Sequence, residues 1–278
     1  MVFRSLLSVI EVEQTDHDLK VAIDLCSEIN AQLCVTVLGV ASSPPIGDYA
    51  LGTAEVWLKE RQKTLAAIDK RIEEVETLVS HAEISASVID EYPELARIGH
   101  IIGRHARYSD ATIIGPDLLA NEKLRGRVIE GALFESGRPI LLLPHGAKPT
   151  LRPKQVLLAW NSGVECTRAA REALEIMACA DEVHVTMIDP DASSEGNGAE
   201  PGADIGAYLA HHGVKITVDR LPSTNYAIAN VIKQHAVDIS AELIVMGGYG
   251  HTRLRERIFG GVTRSMFDDP AFPILMAH

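Results

Sequence analysis

The 278-residue sequence predicts an α/β chain of two tandem open parallel sheets, five strands in each, covered by helices. Three observations carry this prediction. Short, β-branched apolar runs alternate with segments of helical period, the pattern of a parallel sheet covered on both faces. The alternation stops at His145-Gly146-Ala147-Lys148-Pro149-Thr150-Leu151-Arg152-Pro153 and then starts again. The two halves also repeat one another. Ile102-x-x-His105-Ala106 precedes the fourth strand of the first half, and Ile232-x-x-His235-Ala236 precedes the fourth strand of the second. Pro139-Ile140-Leu141 matches Pro273-Ile274-Leu275, and Gly115 and Gly247 end equivalent strands. The expected domains are 1–146 and 153–278.

In the first half, strands are expected over 2–10, 32–40, 83–88, 109–115 and 139–143. Helices are expected over 16–29, where Leu19, Ala22, Ile23, Cys26 and Ile29 recur at helical spacing, and over 54–80, 92–106 and 127–136. Thr15 or Asp16 is available to cap the first helix, and Ser42-Ser43-Pro44-Pro45-Ile46-Gly47 must be loop. In the second half, strands are expected over 155–160, 182–188, 214–219, 243–246 and 273–276. Helices are expected over 164–178, 204–212 and 226–237, and another begins at about 262.

A net charge of −12 argues against nucleic acid or an anionic membrane surface as partner, since either needs a basic face. No apolar run is long enough to cross a bilayer. Arg4 and Glu11 interrupt the opening residues, so no signal peptide is expected, and the location read from the sequence is cytoplasmic. Cys26, Cys34, Cys166 and Cys179 form no CxxC pair and read as reduced, buried thiols.

The stretch Glu242–Thr263 (242–263) holds the main functional signal. A buried-type strand runs into Gly247, Gly248 and Gly250. A basic segment with His251, Arg253, Arg255 and Arg257 follows, and Gly260-Gly261 then leads into a helix. Glycines let amide groups approach a phosphate, and a helix N-terminus adds partial positive charge there. The stretch therefore reads as a phosphate cradle on a strand–loop–helix unit. There is no G-x-x-x-x-G-K-[ST] loop, which excludes a Walker-type ATPase, and no G-x-S-x-G context for a nucleophilic serine.

With Gly247, Gly250 and, nine residues on, Gly260, the chain resembles the universal stress protein family in its tandem two-domain form. That family carries G-x-x-G-x9-G-S/T after a strand of the type D-L-I-V-M-G, and here the strand is Glu242-Leu243-Ile244-Val245-Met246-Gly247. The resemblance runs through both halves. It implies a Rossmann-like, adenine-nucleotide-binding fold with the first strand of each domain central. It also implies ATP, accompanied by Mg²⁺, as cofactor. Gly247, Gly250, Gly260, Gly261 and Val262 would hold phosphates and ribose, with His251 and Arg253 in the loop and Arg255 or Arg264 as further charge partners. Asn161 and Ile188 would stand at the adenine end.

Two departures are plain. Gly261 replaces the Ser or Thr of the motif, with Thr263 as a substitute hydroxyl, and Asn161 stands where the family has Asp. In the first half Pro116-Asp117-Leu118 follows Gly115, only Gly131 echoes the later glycine, and Glu11, Asp117, Glu122 and Glu130 add negative charge. That half is expected to be a degenerate copy without nucleotide. No general base is evident, so efficient turnover is not expected, and any ATP hydrolysis is slow. The expected function is a stress-response protein acting by nucleotide-dependent conformation or assembly. It would work as a homodimer through the sheet edges or as an intrachain pseudo-dimer. The alternatives are a nucleotide-independent interaction or dimerisation module and an ATP-cleaving enzyme. His105 and His235 read as packing residues, and the adjacent His211-His212 diverge on a helix and are rejected as a metal site.

Overall fold

Leu6, Leu7, Val9 and Ile10 make Ser5–Glu11 (β1) apolar on both faces, and all four are fully buried. Only a strand covered by helices on both sides accommodates such a run. The structure, a computed structural model, describes residues 3–45, 50–193, 199–248 and 261–278, and gives the backbone alone for 50–53. It divides into an N-terminal unit, Phe3–Arg138, and a C-terminal unit beginning at Pro139.

The N-terminal unit continues with α1 (His17–Ile29), β2 (Gln32–Leu38), α2 (Ala50–His81), β3 (Ala86–Glu91), a 3-10 turn (Leu95–Arg97), α3 (Ile98–Ala106), β4 (Ala111–Ile114), α4 (Pro116–Ala120) and α5 (Arg125–Phe134). Its strands are all parallel, in the order β3-β2-β1-β4. The edge strand β3 alternates exposed and half-buried residues, whereas β1 and β4 are buried throughout. The long α2 buries a narrow stripe that includes Ile68, Val75 and Val79. It is pinned to the start of α1 by Arg71, whose guanidinium lies 2.7 Å from Asp16.

The C-terminal unit comprises β5 (Ile140–Leu142), β6 (Gln155–Ala159), α6 (Val164–Glu172), α7 (Leu174–Cys179), β7 (Glu182–Ile188), α8 (Ala203–His211), β8 (Ile216–Leu221), α9 (Ile228–Asp238), β9 (Leu243–Gly247), α10 (Gly261–Asp268) and β10 (Ile274–Ala277). Its strand order is β5-β10-β9-β6-β7-β8. The last five are parallel, and β5 runs antiparallel beside β10 with Leu141 opposite Leu275. The parallel, helix-covered, open α/β architecture read from the sequence is therefore present, with one addition. The fifth strand of the first half groups with the second unit and closes the β10 edge of its sheet.

Local differences have local causes. The helix expected over 164–178 is two helices, interrupted at Ala173, whose ψ is 1°. α4 was not expected, although Pro116 at its first position after Gly115 is a start signal. β3 lies three residues and β8 two residues later than expected. Glu83 and Gly213 adopt left-handed φ values of 55° and 79° before them, and pairing with β2 and β7 sets their register.

Candidate functional site

In the C-terminal unit the chain runs from β6 outward through β7 to β8, then returns to place β9 on the other side of β6. The strand order reverses between β6 and β9, and in open α/β sheets the carboxyl ends at such a reversal form the ligand crevice. The N-terminal unit has the same reversal between β1 and β4. These two places can be compared residue by residue.

At the N-terminal reversal the backbone amides are already occupied. Asp18, in the first turn of α1, is 1% exposed. Its carboxylate accepts the N–H of Asp117 and of Leu118, both at 2.9 Å, at the start of α4. Gln14 Nε2 donates to the same carboxylate. A Cβ on Gly115 would stand 2.2 Å from Asp18 Cγ, so glycine is required there to admit the carboxylate. Around it Thr15 donates its hydroxyl to Asp117, and Asn121 Nδ2 donates to Glu11 at 2.7 Å. Burial pushes the Asp18 carboxyl up, against the two amide bonds that lower it, and burial likewise raises Glu11. A carboxyl group of the chain itself thus takes up the amides at this reversal.

Of the four acids read as hostile to phosphate, Glu11 and Asp117 belong to this network, whereas Glu122 and Glu130 are exposed. Asp18 falls within the helix expected over 16–29. The signal that could have singled it out is an acid one position inside a helix whose partner strand ends in glycine. Gly131, read as an echo of the later motif glycine, has a packing role. It lies inside α5, where a Cβ would stand 2.1 Å from the carbonyl oxygen of Gly99 on α3.

At the C-terminal reversal the corresponding helix start brings a thiol. Cys166 lies in the first turn of α6 and is buried, and the backbone N–H groups of Gly247 and Asn161 point to it. Burial raises this thiol, so it is neutral. A Cβ on Gly247 would stand 2.5 Å from the Cys166 nitrogen, so this glycine serves the close approach of α6 to β9. The next amide, of Gly248, donates to the Ala277 carbonyl at 2.8 Å. Asn161 Oδ1 accepts the Gly163 N–H at 2.9 Å, in a turn that places Ser162 at φ 63°. Ile188 ends β7, half-buried, and Asp189 beyond it accepts Ser223 N–H at 3.0 Å.

The other end of the loop is described from Gly261 onward. Gly261 opens α10, is exposed, and would meet nothing within 4 Å among the described residues if it carried a Cβ. Val262 is half-buried, and Thr263 is buried. Arg264 is exposed and pairs with Asp268 one turn on, at 3.2 Å. Gly250, His251, Arg253 and Gly260, with Arg255 and Arg257, lie outside the described residues. The described part therefore brings Asn161, Gly247 and Cys166 together at the reversal, places Ile188 at the end of the neighbouring β7, and supplies the start of α10 as a separate anion-favouring feature.

His105 and His235, read as packing residues, are both half-buried, and each contacts an edge-strand carboxylate. His105 Nε2 lies 2.7 Å from Glu91 on β3, and His235 Nε2 lies 2.8 Å from Asp219 on β8. The four cysteines are free; Cys26 and Cys166 are buried as expected, Cys34 is half-buried, and Cys179 at the end of α7 is exposed. Burial pushes the Cys26 thiol up to about 12. No helix among the described residues is long and apolar enough to cross a membrane.

No family model matches the sequence, and no curated protein matches it. Solved structures do. A universal stress protein from Archaeoglobus fulgidus superposes with a TM-score of 0.63 at 17% identity, covering 98% of this chain and 97% of its own. A putative universal stress protein from Pseudomonas aeruginosa gives 0.60 at 17% identity, with coverage of 99% and 93%. A functionally unknown protein from Pseudomonas aeruginosa gives 0.56, again at 17% identity, with coverage of 99% and 92%. Over nearly its whole length, this chain has the fold of solved universal stress protein structures.

Proposed function

We propose that the chain is a tandem member of the universal stress protein family that binds one adenine nucleotide, ATP with Mg²⁺, in its C-terminal unit. The observation that carries this reading is the contrast between the two strand-order reversals. In the N-terminal unit a buried carboxylate, Asp18, accepts the amides at the helix start. In the C-terminal unit the equivalent helix start contributes the neutral thiol of Cys166, and the exposed start of α10 adds a helix N-terminus, whose dipole favours phosphate. The phosphates would lie against the segment from Gly250 through Gly261 and Val262, with His251, Arg253 and Gly260. The base would lie toward Asn161 and Ile188. Because Gly247 and Gly248 direct their amides to Cys166 and to Ala277, the cradle is assigned to the later residues of the loop. The chain acts through a nucleotide-dependent conformation or assembly.

Calorimetric titration of nucleotide-stripped protein with Mg·ATP tests this. One saturable site per chain is expected, lost on Gly250→Val while the circular dichroism is kept. Two sites would overturn the assignment of Asp18 as a built-in substitute for phosphate. Absence of binding into the millimolar range would favour the second reading, a nucleotide-independent interaction module. That reading draws on the same engagement of the Gly247 and Gly248 amides within the fold.

A further inference from the structure

Away from the strand-order reversal, three elements of the C-terminal unit converge on one polar cluster. His184 on β7, Asp219 on β8 and His235 on α9 have side-chain exposures of 15%, 20% and 14%. His184 Nδ1 and His235 Nε2 each lie 2.8 Å from the same oxygen, Oδ2 of Asp219. The two rings are edge to face, with centroids 6.0 Å apart. All three potential ligand atoms fall within 4.8 Å of one another. We propose that His184 Nδ1, Asp219 Oδ2 and His235 Nε2 form a site for a divalent transition metal ion, with Zn²⁺ the best match.

The donor set carries the choice of metal. Two imidazoles and one carboxylate suit Zn²⁺ and its first-row neighbours, whereas Mg²⁺ and Ca²⁺ favour oxygen-only shells. Ligands at about 2.0–2.1 Å in a tetrahedral arrangement stand about 3.3 Å apart. Asp219 Oδ2 therefore has to withdraw by about 0.5 Å from each ring nitrogen, a side-chain adjustment on an edge strand.

One carboxylate stands close enough to serve as an outer-shell partner after a small side-chain shift. Metal-bound histidines are oriented by a carboxylate on the second ring nitrogen. With Nδ1 turned to the metal, His184 carries its proton on Nε2, which lies 3.7 Å from Glu182 Oε2. Glu182 is itself held by the Thr217 hydroxyl, which donates to Oε1 at 2.7 Å. His235 also lines a cavity of about 590 Å³ with Leu221, Tyr226, Asn230 and Asp238, which gives an ion a route in. The first-half counterpart has diverged. Cys34 occupies the register position of His184, and Glu91 is shared between His105 and Arg104, so a cation already fills that place.

The test uses the untagged, chelator-treated full chain, with Co²⁺ titrated as a visible probe and Zn²⁺ as competitor. One Co²⁺ per chain is expected, with the intense d–d bands of a low-coordinate site, displaced by Zn²⁺. Asp219→Asn and His235→Gln should each weaken binding at least about tenfold, and Glu182→Gln about tenfold through the outer shell alone. The double variant His211→Gln/His212→Gln should bind as the parent does. Equal binding by parent and folded Asp219→Asn would place the metal elsewhere and overturn the proposal, as would no saturable binding up to millimolar Co²⁺. Should a variant fail to fold, X-ray absorption on Zn²⁺-loaded parent protein decides. Two imidazoles and a carboxylate support the site, and a shell without imidazole refutes it.

Discussion

Gly261 and Asp18 hold opposite positions toward an anion, and single substitutions expose both. At Gly261 no described residue lies within 4 Å of a Cβ, so serine displaces none of them and restores the hydroxyl of the motif. One added hydrogen bond is worth about 1 kcal/mol. Gly261→Ser should therefore tighten Mg·ATP about fivefold by calorimetry; unchanged or weaker affinity would place the phosphates away from the start of α10. At Asp18 the prediction concerns pH. Burial raises the folded carboxyl above its ordinary value of 3.8. Between that value and the raised one, the unfolded chain has released a proton that the folded chain still holds, so stability falls as pH rises through this window. Denaturant melts at a series of pH values should show parent stability falling relative to Asp18→Asn across this window and staying parallel above it. Parent stability rising with pH relative to Asp18→Asn across this window would contradict the burial-dominated reading.

Glycines inside helices show how one residue type takes opposite roles along a single element. Gly131 of α5 faces the Gly99 carbonyl oxygen at 2.1 Å from a would-be Cβ, whereas Gly126 of the same helix has nothing within 4 Å. Alanine gains about 0.5–1 kcal/mol over glycine in a helix through backbone entropy. At Gly126 that gain is unopposed, and Gly126→Ala should raise the melting temperature slightly. At Gly131 the added methyl meets backbone that cannot turn aside, and a net loss of about 1–3 kcal/mol is expected. Thermal denaturation of both variants checks the sign reversal. The strand–helix alternation, the repeat and most helices were legible because each follows from a local period. The role of Gly131 was not legible, because a glycine near a motif position and a glycine at a helix crossing look alike in sequence.

For the whole molecule, the placement of β5 decides where the chain can be divided. Its pairing with β10 supplies backbone partners to a strand that would otherwise present an open edge. In a fragment of residues 139–278 the edge strand is the three-residue β5, a shorter template than the four-residue β10 bared in a 147–278 fragment, so the second should self-associate more in light scattering. Equal behaviour of the two would show that β5 does not protect that edge.

The sequence by itself determined the α/β class, the buried strands and the place where an anion site would be sought. Each of these rests on periodicity or on residues close together in the chain. Only the tertiary structure decided that Asp18 occupies the amides of the first half, that Cys166 replaces it in the second, and that His184, Asp219 and His235 meet. In each case the partners lie far apart in sequence, about 100 residues for Asp18 with Asp117 and Leu118. Parallel crossovers bring such residues together at strand ends and under helices. No local spacing records that convergence.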